Sequence, residues 1–162
     1  MGRGLAGRYV AVVGPADTAT GDQLAAATEV GRLLAGAGAV VLTGGLHGVM
    51  RAAATGARDA GGTAIGLLPG DDRTAGSPEH AFLLPTGLGE LRNGLLVRAA
   101  DAVVAVGCSW GTLSGIALAR RTGVPLVLLD PWDLPGDVGT VVVSPTAAVD
   151  TLARDLARDL EG

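Results

Sequence analysis

The sequence predicts an α/β fold, a three-layer doubly wound Rossmann-like parallel sheet, built as a single domain from residues 1–162. Short apolar, β-branched runs alternate with longer Ala- and Leu-rich stretches, which is the pattern of repeated strand–helix units. The short runs are continuously apolar, as expected for strands that are buried on both faces. A chain of 162 residues also has the size of one domain. Right-handed crossovers then place the ligand crevice where the strand order reverses.

The elements follow from these runs in chain order. We expect strands at 9–13, 40–42, 63–68, 102–106, 125–129 and 141–143, with a further short strand at 82–84. We expect helices at 22–35, 48–60, 89–100, 112–121 and 147–160, the last with an apolar stripe of Ala148, Leu152, Leu156 and Leu160. Gly36 and Gly61-Gly62 stand where left-handed helix caps are expected. The polar segment 71–79 is expected to be a mobile loop.

Composition excludes several classes of function. The net charge is −4 and the arginines are scattered, which argues against a nucleic-acid partner. All 12 basic residues are arginine, so mechanisms that need a lysine amine are excluded. With one cysteine, two histidines and no cluster of ligand spacing, we expect no metal site. No run of about 18 apolar residues and no signal-peptide pattern is present, so we expect a cytoplasmic protein without a membrane partner.

Three strand-to-helix turns are rich in small residues and lie at the same edge of the predicted sheet. They are Gly14-Pro15-Ala16, Thr43 to Gly48, and Gly107-Cys108-Ser109-Trp110-Gly111-Thr112. Glycine lets the backbone come close to a ligand, and a helix that starts there offers unpaired N–H groups and a positive dipole end to an anion. One such turn is weak evidence, but three that converge favour a phosphate-bearing ligand.

A series of motifs along the chain resembles the Lonely Guy superfamily, in particular its molybdenum-cofactor carrier branch. The motifs are Thr43-Gly44-Gly45-Leu46-His47-Gly48-Val49-Met50, Thr86-Gly87-Leu88-Gly89, Arg92-Asn93, Asp101-Ala102-Val103 and Gly111-Thr112-Leu113-Ser114. The resemblance implies a Rossmann-like fold, a homodimer or homotetramer, and a phosphate cradle. It also implies a phosphorylated small molecule as the partner, either a nucleotide or molybdenum cofactor, with no cofactor required for the protein itself.

One departure from the family concerns catalysis. The phosphoribohydrolases of this superfamily carry a glutamate where this chain has Gly115, and a lysine where it has Asn93. Cleaving a bond between ribose and base builds positive charge on the sugar, which a carboxylate stabilises and glycine cannot. We therefore expect phosphoribohydrolase activity to be absent or very low, unless Glu90 acts as a substitute carboxylate.

The sequence leaves two possible roles open for each of several residues. Arg92 is the first candidate for binding phosphate, and the one catalytic candidate if the protein is an enzyme; the alternative is a surface arginine. The hydroxyl of Thr112 binds phosphate or caps its own helix. Trp110 stacks on a heterocycle or packs at a dimer contact, and Cys108 is a low-pKa thiol or a small filler. The expected ligand site comprises Gly14, Gly44, Gly45, Thr86, Gly87, Arg92, Asn93, Gly107, Cys108, Ser109, Trp110, Gly111 and Thr112.

Three further residues are candidates for a supporting role. His47 touches ligand or stabilises its turn, His80 is expected to be exposed, and Asp130 lies at the crevice edge. Two functions compete: a binding or carrier protein for a phosphorylated heterocycle, and a nucleoside 5′-monophosphate phosphoribohydrolase-like N-glycosidase with altered or weak activity. A regulatory nucleotide sensor is a weaker third reading.

Overall fold

The fold is a seven-stranded, all-parallel sheet with helices on both faces, described for residues 4–160 in a computed structural model. Residues 1–3 and 161–162 of the predicted domain lie outside the described residues. The strands are β1 (Tyr9–Val13), β2 (Val40–Thr43), β3 (Ala64–Leu68), β4 (Phe82–Pro85), β5 (Ala102–Val106), β6 (Leu126–Leu129) and β7 (Thr140–Val142). Their order is β4-β3-β2-β1-β5-β6-β7, so the predicted fold class is confirmed.

The order reverses between β1 and β5, which pair in parallel with Val10 opposite Ala102 and Val13 opposite Ala105. On the other side of β1, Tyr9 is opposite Val40 of β2. The chain therefore moves outward in one direction through β2, β3 and β4, then returns past β1 to build the other half. In such sheets ligands bind at the carboxyl ends of the strands beside the reversal.

Between residues 4 and 160, five α-helices cover the sheet: α1 (Gly21–Gly36), α2 (Val49–Asp59), α3 (Arg92–Ala99), α4 (Trp110–Thr122) and α5 (Pro145–Arg158). Residues of α1, α2 and α5 share one hydrophobic cluster with the sheet, and residues of α3 and α4 share a second cluster on the opposite face. Within the described part of the chain, no helix is long and apolar enough to cross a membrane.

Helices α1 and α2 pack at very short range through glycines. A Cβ on Gly31 would lie 2.0 Å from the carbonyl oxygen of Ala53, and a Cβ on Gly56 would lie 1.9 Å from that of Thr28. Both distances are too short for any side chain, because carbon and oxygen need more than about 3 Å. No phenylalanine, tyrosine or tryptophan side chain is buried among the residues that the structure describes, so close helix contact replaces side-chain bulk on this face.

Several predicted boundaries are corrected by the structure. The predicted helix 89–100 is divided, because Gly89–Leu91 forms a 3-10 turn before α3 begins at Arg92. The left-handed residue after α1 is Gly38, not Gly36, and of the Gly61-Gly62 pair only Gly61 has positive φ. Leu160 lies beyond the end of α5 and is exposed, so the buried stripe ends at Leu156.

The segment 71–79 is more ordered than a plain loop. It contains a 3-10 turn, Arg73–Ala75, and the carboxylate of Asp72 caps this turn by accepting from the amide of Thr74. Ser77 is buried, and its amide donates to the carbonyl of Gly45 at 2.9 Å. This segment is therefore attached to the turn that follows β2.

Candidate anion-binding site

A pocket of about 350 Å³ lies where the strand order reverses, at the carboxyl ends of β1 and β5. Its volume is within the range of small-molecule sites, about 300–1,000 Å³. Eight residues that the sequence points to line the pocket: Gly14, Gly44, Arg92, Asn93, Ser109, Gly111, Thr112 and Gly115. Glu90, the candidate substitute carboxylate, also lines it and is exposed.

The β5–α4 turn forms one wall. Ser109 is the N-cap of α4, and its hydroxyl accepts the amide of Thr112 at 3.2 Å. The same hydroxyl lies 2.9 Å from the Thr112 hydroxyl. The structure thus gives the capping role to Ser109, and α4 begins two residues earlier than predicted, at Trp110. The first-turn amide of Gly111, which lines the pocket, has no carbonyl behind it in the helix, so this amide and the helix dipole favour an anion here.

Arg92 forms the opposite wall, at the start of α3. Its Nη1 donates to Asn93 Oδ1 at 2.6 Å, and Asn93 Nδ2 donates to Ser114 Oγ at 2.7 Å. Ser114 Oγ in turn donates to the carbonyl of Gly111 at 2.8 Å. This series of hydrogen bonds connects the guanidinium to the first turn of α4, and so holds Arg92 at a defined distance from the helix N-terminus.

The guanidinium of Arg92 has no anionic partner among residues 4–160. Its Nε is buried and makes no hydrogen bond, and no carboxylate lies within ion-pair distance. Burial lowers the pKa of Arg92 below its ordinary value. An unpaired buried donor on a cation is costly, by about 1–3 kcal/mol or more. Nη1 is engaged by Asn93, which leaves the edge formed by Nε and Nη2 without a hydrogen-bond partner among residues 4–160.

Gly44 makes room for this arrangement. A Cβ at Gly44 would lie 2.6 Å from Arg92 Nη1 and 2.7 Å from the sulfur of Met50. Any larger residue would push the guanidinium away from the turn after β2. Gly14 is required for packing, since its Cβ would lie 2.4 Å from the carbonyl oxygen of Val106.

The turn after β2 offers fewer free amides than the sequence suggested. The amide of Gly45 donates to the Thr43 hydroxyl at 2.9 Å, and the amide of Val49, the first residue of α2, donates to the carbonyl of Pro15 at 3.1 Å. These two amides are therefore engaged within the protein, and Gly44 is the glycine of this turn that lines the pocket.

The sequence matches the SLOG cluster4 family over residues 7–155, most of its length. The chain belongs to that family. Among solved structures, the molybdenum cofactor binding protein of Rippkaea orientalis is similar, with a TM-score of 0.84 and 33% identity over 96% of this chain and 98% of that one. The molybdenum cofactor carrier protein of Chlamydomonas reinhardtii has a TM-score of 0.85 and 32% identity over 94% and 99%.

A further relative of this SLOG-family chain is a phosphoribohydrolase. The cytokinin riboside 5′-monophosphate phosphoribohydrolase of Mycobacterium tuberculosis is 30% identical, over 93% of this chain and 89% of the relative. The resemblance to the Lonely Guy superfamily that the motifs indicated is thus confirmed.

Six residues of the expected site do not line the pocket of this SLOG-family protein: Gly45, Thr86, Gly87, Gly107, Cys108 and Trp110. The Thr86 hydroxyl donates to the carbonyl of Leu68 at 2.7 Å, and Gly107 adopts positive φ where a Cβ would lie 2.8 Å from the Gln23 side chain. Cys108 is buried, and burial raises the pKa of its thiol, the opposite of an activated nucleophile.

Trp110 is 78% exposed at the start of α4 and packs edge-to-face against Trp132, with ring centroids 5.0 Å apart. Trp132 follows β6, and β5 separates β6 from β1 in the sheet. The indole of Trp110 therefore contacts the β6 side of the molecule.

The two histidines and Asp130 are also engaged elsewhere. His47 is bound to Asp17, with Nε2 and Oδ1 2.6 Å apart, and does not line the pocket. His80 was expected to be exposed, and that prediction is wrong: it is buried, with 6% of its surface accessible. Asp130 has positive φ of 54° and accepts from Gln23 Nε2 at 2.9 Å.

Sequence reasoning missed the apolar part of the site and one polar residue. The pocket wall includes Val13, Met50, Leu96 and Val97, which sequence patterns mark as core. Ser114 belongs to the motif Gly111-Thr112-Leu113-Ser114, but its role in holding Asn93 depends on the angle between α3 and α4. The one indication in the sequence is that Ser114 follows Gly111 by three residues, about one helical turn, so its hydroxyl can reach the Gly111 carbonyl.

Proposed function

We propose that this protein binds the phosphate of a phosphorylated heterocycle, a nucleotide or a molybdopterin-type cofactor, and carries it without cleaving it. The observation that carries the proposal is Arg92, which lines the pocket and whose buried Nε has no partner among residues 4–160. A ligand anion with two oxygens matches the free guanidinium edge and offsets the cost of the unpaired donor.

The remaining pocket suits the rest of such a ligand. The first turn of α4 supports the negative charge from one side, while Val13, Met50 and Leu96 offer apolar surface to a flat ring. The molybdenum-cofactor carrier and binding proteins that resemble this chain support this class of ligand.

Gly115 supports binding rather than cleavage. It is buried in α4 and lines the pocket, where the phosphoribohydrolases of the superfamily carry their glutamate. A Cβ at Gly115 would meet only Val13 Cγ1, at 3.8 Å, so the space for a side chain exists and is unused. A missing acid–base group lowers the rate by about 10²–10⁴.

The test measures binding and turnover with the same ligands. AMP, GMP and a molybdopterin-type ligand are titrated by calorimetry, and each nucleotide is incubated with the protein and assayed for free base. We expect binding without base release, and loss of binding in Arg92→Gln. Arg98→Gln is the matched control, because Arg98 lies exposed on the same helix outside the pocket. Equal affinity in both variants would contradict the proposal.

A second candidate function is weak N-glycosidase activity through Glu90. The observation that favours it is that Glu90 lines the same pocket as Arg92, and the Mycobacterium tuberculosis relative supports it. Slow release of base that disappears in Glu90→Gln, while ligand affinity stays, would establish it. Gly115→Glu is the companion variant, and it raises hydrolysis if the rest of the catalytic geometry is present.

The proposal includes assembly as a homodimer or homotetramer. Leu91, the last residue of the 3-10 turn before α3, is 76% exposed, and Leu95 in α3 is 44% exposed, so the two give apolar surface that a second copy would cover. Sedimentation analysis measures the assembly, and a monomer at micromolar concentration would contradict this part of the proposal.

A further inference from the structure

A closed ring of four hydrogen bonds lies under the turn after β2. The amide of Ser77 donates to the carbonyl of Gly45 at 2.9 Å, and the amide of Gly45 donates to Thr43 Oγ1 at 2.9 Å. Thr43 Oγ1 lies 2.6 Å from His80 Nε2, and His80 Nδ1 lies 3.0 Å from the carbonyl of Ser77. The ring joins the segment before β4 to the segment after β2, and Thr43 and His80 within it are buried.

The donor and acceptor of each hydrogen bond in the ring determine the protonation state of the His80 imidazole. A carbonyl can only accept, so Nδ1 carries a proton and donates to Ser77. Nε2 of the neutral ring then accepts the hydroxyl proton of Thr43, whose oxygen accepts from Gly45. A second proton on Nε2 would turn this bond around, and the hydroxyl proton of Thr43 would lose its acceptor in a buried place.

The charged groups around His80 are few. Burial lowers the pKa of His80 and is the largest cause, while the Ser77 carbonyl and Glu79 act in the opposite direction. Glu79 is itself held by the Ser77 hydroxyl and by Arg51 of α2, whose Nε donates to it at 3.0 Å. Strands β2, β3 and β4 carry no charged residue, and Asp72 and Arg73 of the same segment are exposed.

The ring acts on the pocket through Gly44, which lies between two of its members. Its backbone approaches the Arg92 guanidinium so closely that a Cβ would come within 2.6 Å of Nη1. We propose that His80 is a positioning residue for the anion site. While its imidazole is neutral, the hydrogen-bonded ring holds the Thr43–Gly45 turn against Arg92, and protonation of the imidazole releases that turn and weakens anion binding. The inference rests on the proposed function.

The test uses inorganic sulfate, whose charge does not change between pH 8 and 5. Its affinity is measured by calorimetry across this range, while the His80 ring protons and the Gly45 amide are followed by NMR. In the wild type we expect affinity to fall by about tenfold as His80 titrates, a size typical of coupled sites, and the Gly45 amide to shift with the same midpoint. His47→Gln is expected to behave like the wild type, and His80→Gln to lose the pH dependence.

Two substitutions at Thr43 test the inference even if His80→Gln does not fold. Thr43→Ser keeps the hydroxyl and is expected to keep both the affinity and its pH profile. Thr43→Val removes the hydroxyl and is expected to weaken binding at pH 8 and flatten the profile. Sulfate binding in the wild type with a flat profile, or a profile unchanged in His80→Gln, overturns this inference alone. No sulfate binding at pH 8 contradicts the proposed function and this inference together.

Discussion

Replacing Arg92 by methionine should stabilise the protein while it abolishes anion binding. Methionine keeps much of the length of the side chain but removes the buried Nε that has no partner among residues 4–160. Removing that unpaired donor is worth about 1–3 kcal/mol, and losing the bond from Nη1 to Asn93 costs about 1 kcal/mol. Asn93 is only half-buried, so water can replace that bond.

The net gain is about 1 kcal/mol, which corresponds to a rise in Tm of about 2–4 °C for a chain of this size. Differential scanning calorimetry measures Tm, and titration with AMP measures binding for the same samples. Arg98→Met on the exposed face of α3 is the control and should change stability by less than about 0.5 kcal/mol. A fall in Tm for Arg92→Met beyond that of the control, together with unchanged affinity, would show that Arg92 is structural and refute the reasoning.

Three further outcomes are expected from the geometry. Gly115→Ala should raise the free energy of unfolding by about 0.5–1 kcal/mol in urea denaturation, because the added Cβ fits. Gly56→Ala should lower the free energy of unfolding by more than 1 kcal/mol, since its Cβ would overlap the carbonyl of Thr28. Equal effects of the two substitutions would contradict this account of the helix glycines. Ser109→Ala should cost about 1 kcal/mol of stability through the lost cap of α4, and a neutral result would contradict the capping role. His80 has a pKa below its ordinary 6.5 when folded, so its contribution to stability is present above pH 6.5 and is lost as the pH falls below it; a Tm profile between pH 8 and 5 that is unchanged in His80→Gln would contradict it.

The architecture followed from the sequence because each strand is a continuous apolar run between helix-forming stretches. Parallel strands that are buried on both faces are nearly always continuous apolar runs. The predicted bounds of β1 at 9–13 and of β5 at 102–106 were therefore correct. Element ends were less accurate. The start of α4 depends on a serine side chain that captures the Thr112 amide, and propensity alone does not locate that contact.

The candidate site was only partly predictable for a related reason. Glycine-rich turns indicate where the backbone can approach a ligand, and Gly44 and Gly111 do line the pocket. The same residue type serves packing at Gly107, where the Gln23 side chain lies too close for a Cβ. Sequence does not separate the two uses, because the difference lies in what the neighbouring element places against each glycine.

His80 shows the limit of reading polarity as exposure. It stands in a polar segment, yet the segment folds back so that its ring joins Thr43 and the carbonyl of Ser77. That contact spans 37 residues of chain, and no local pattern encodes it.

A crystal structure with bound nucleoside 5′-monophosphate tests the anion site most directly. The phosphate is expected within hydrogen-bond distance of Arg92 Nε and of the first-turn amides of α4, with the base against the apolar wall and the bond between sugar and base intact. A phosphate bound elsewhere, with Arg92 Nε still unpaired at saturating ligand, would contradict the account.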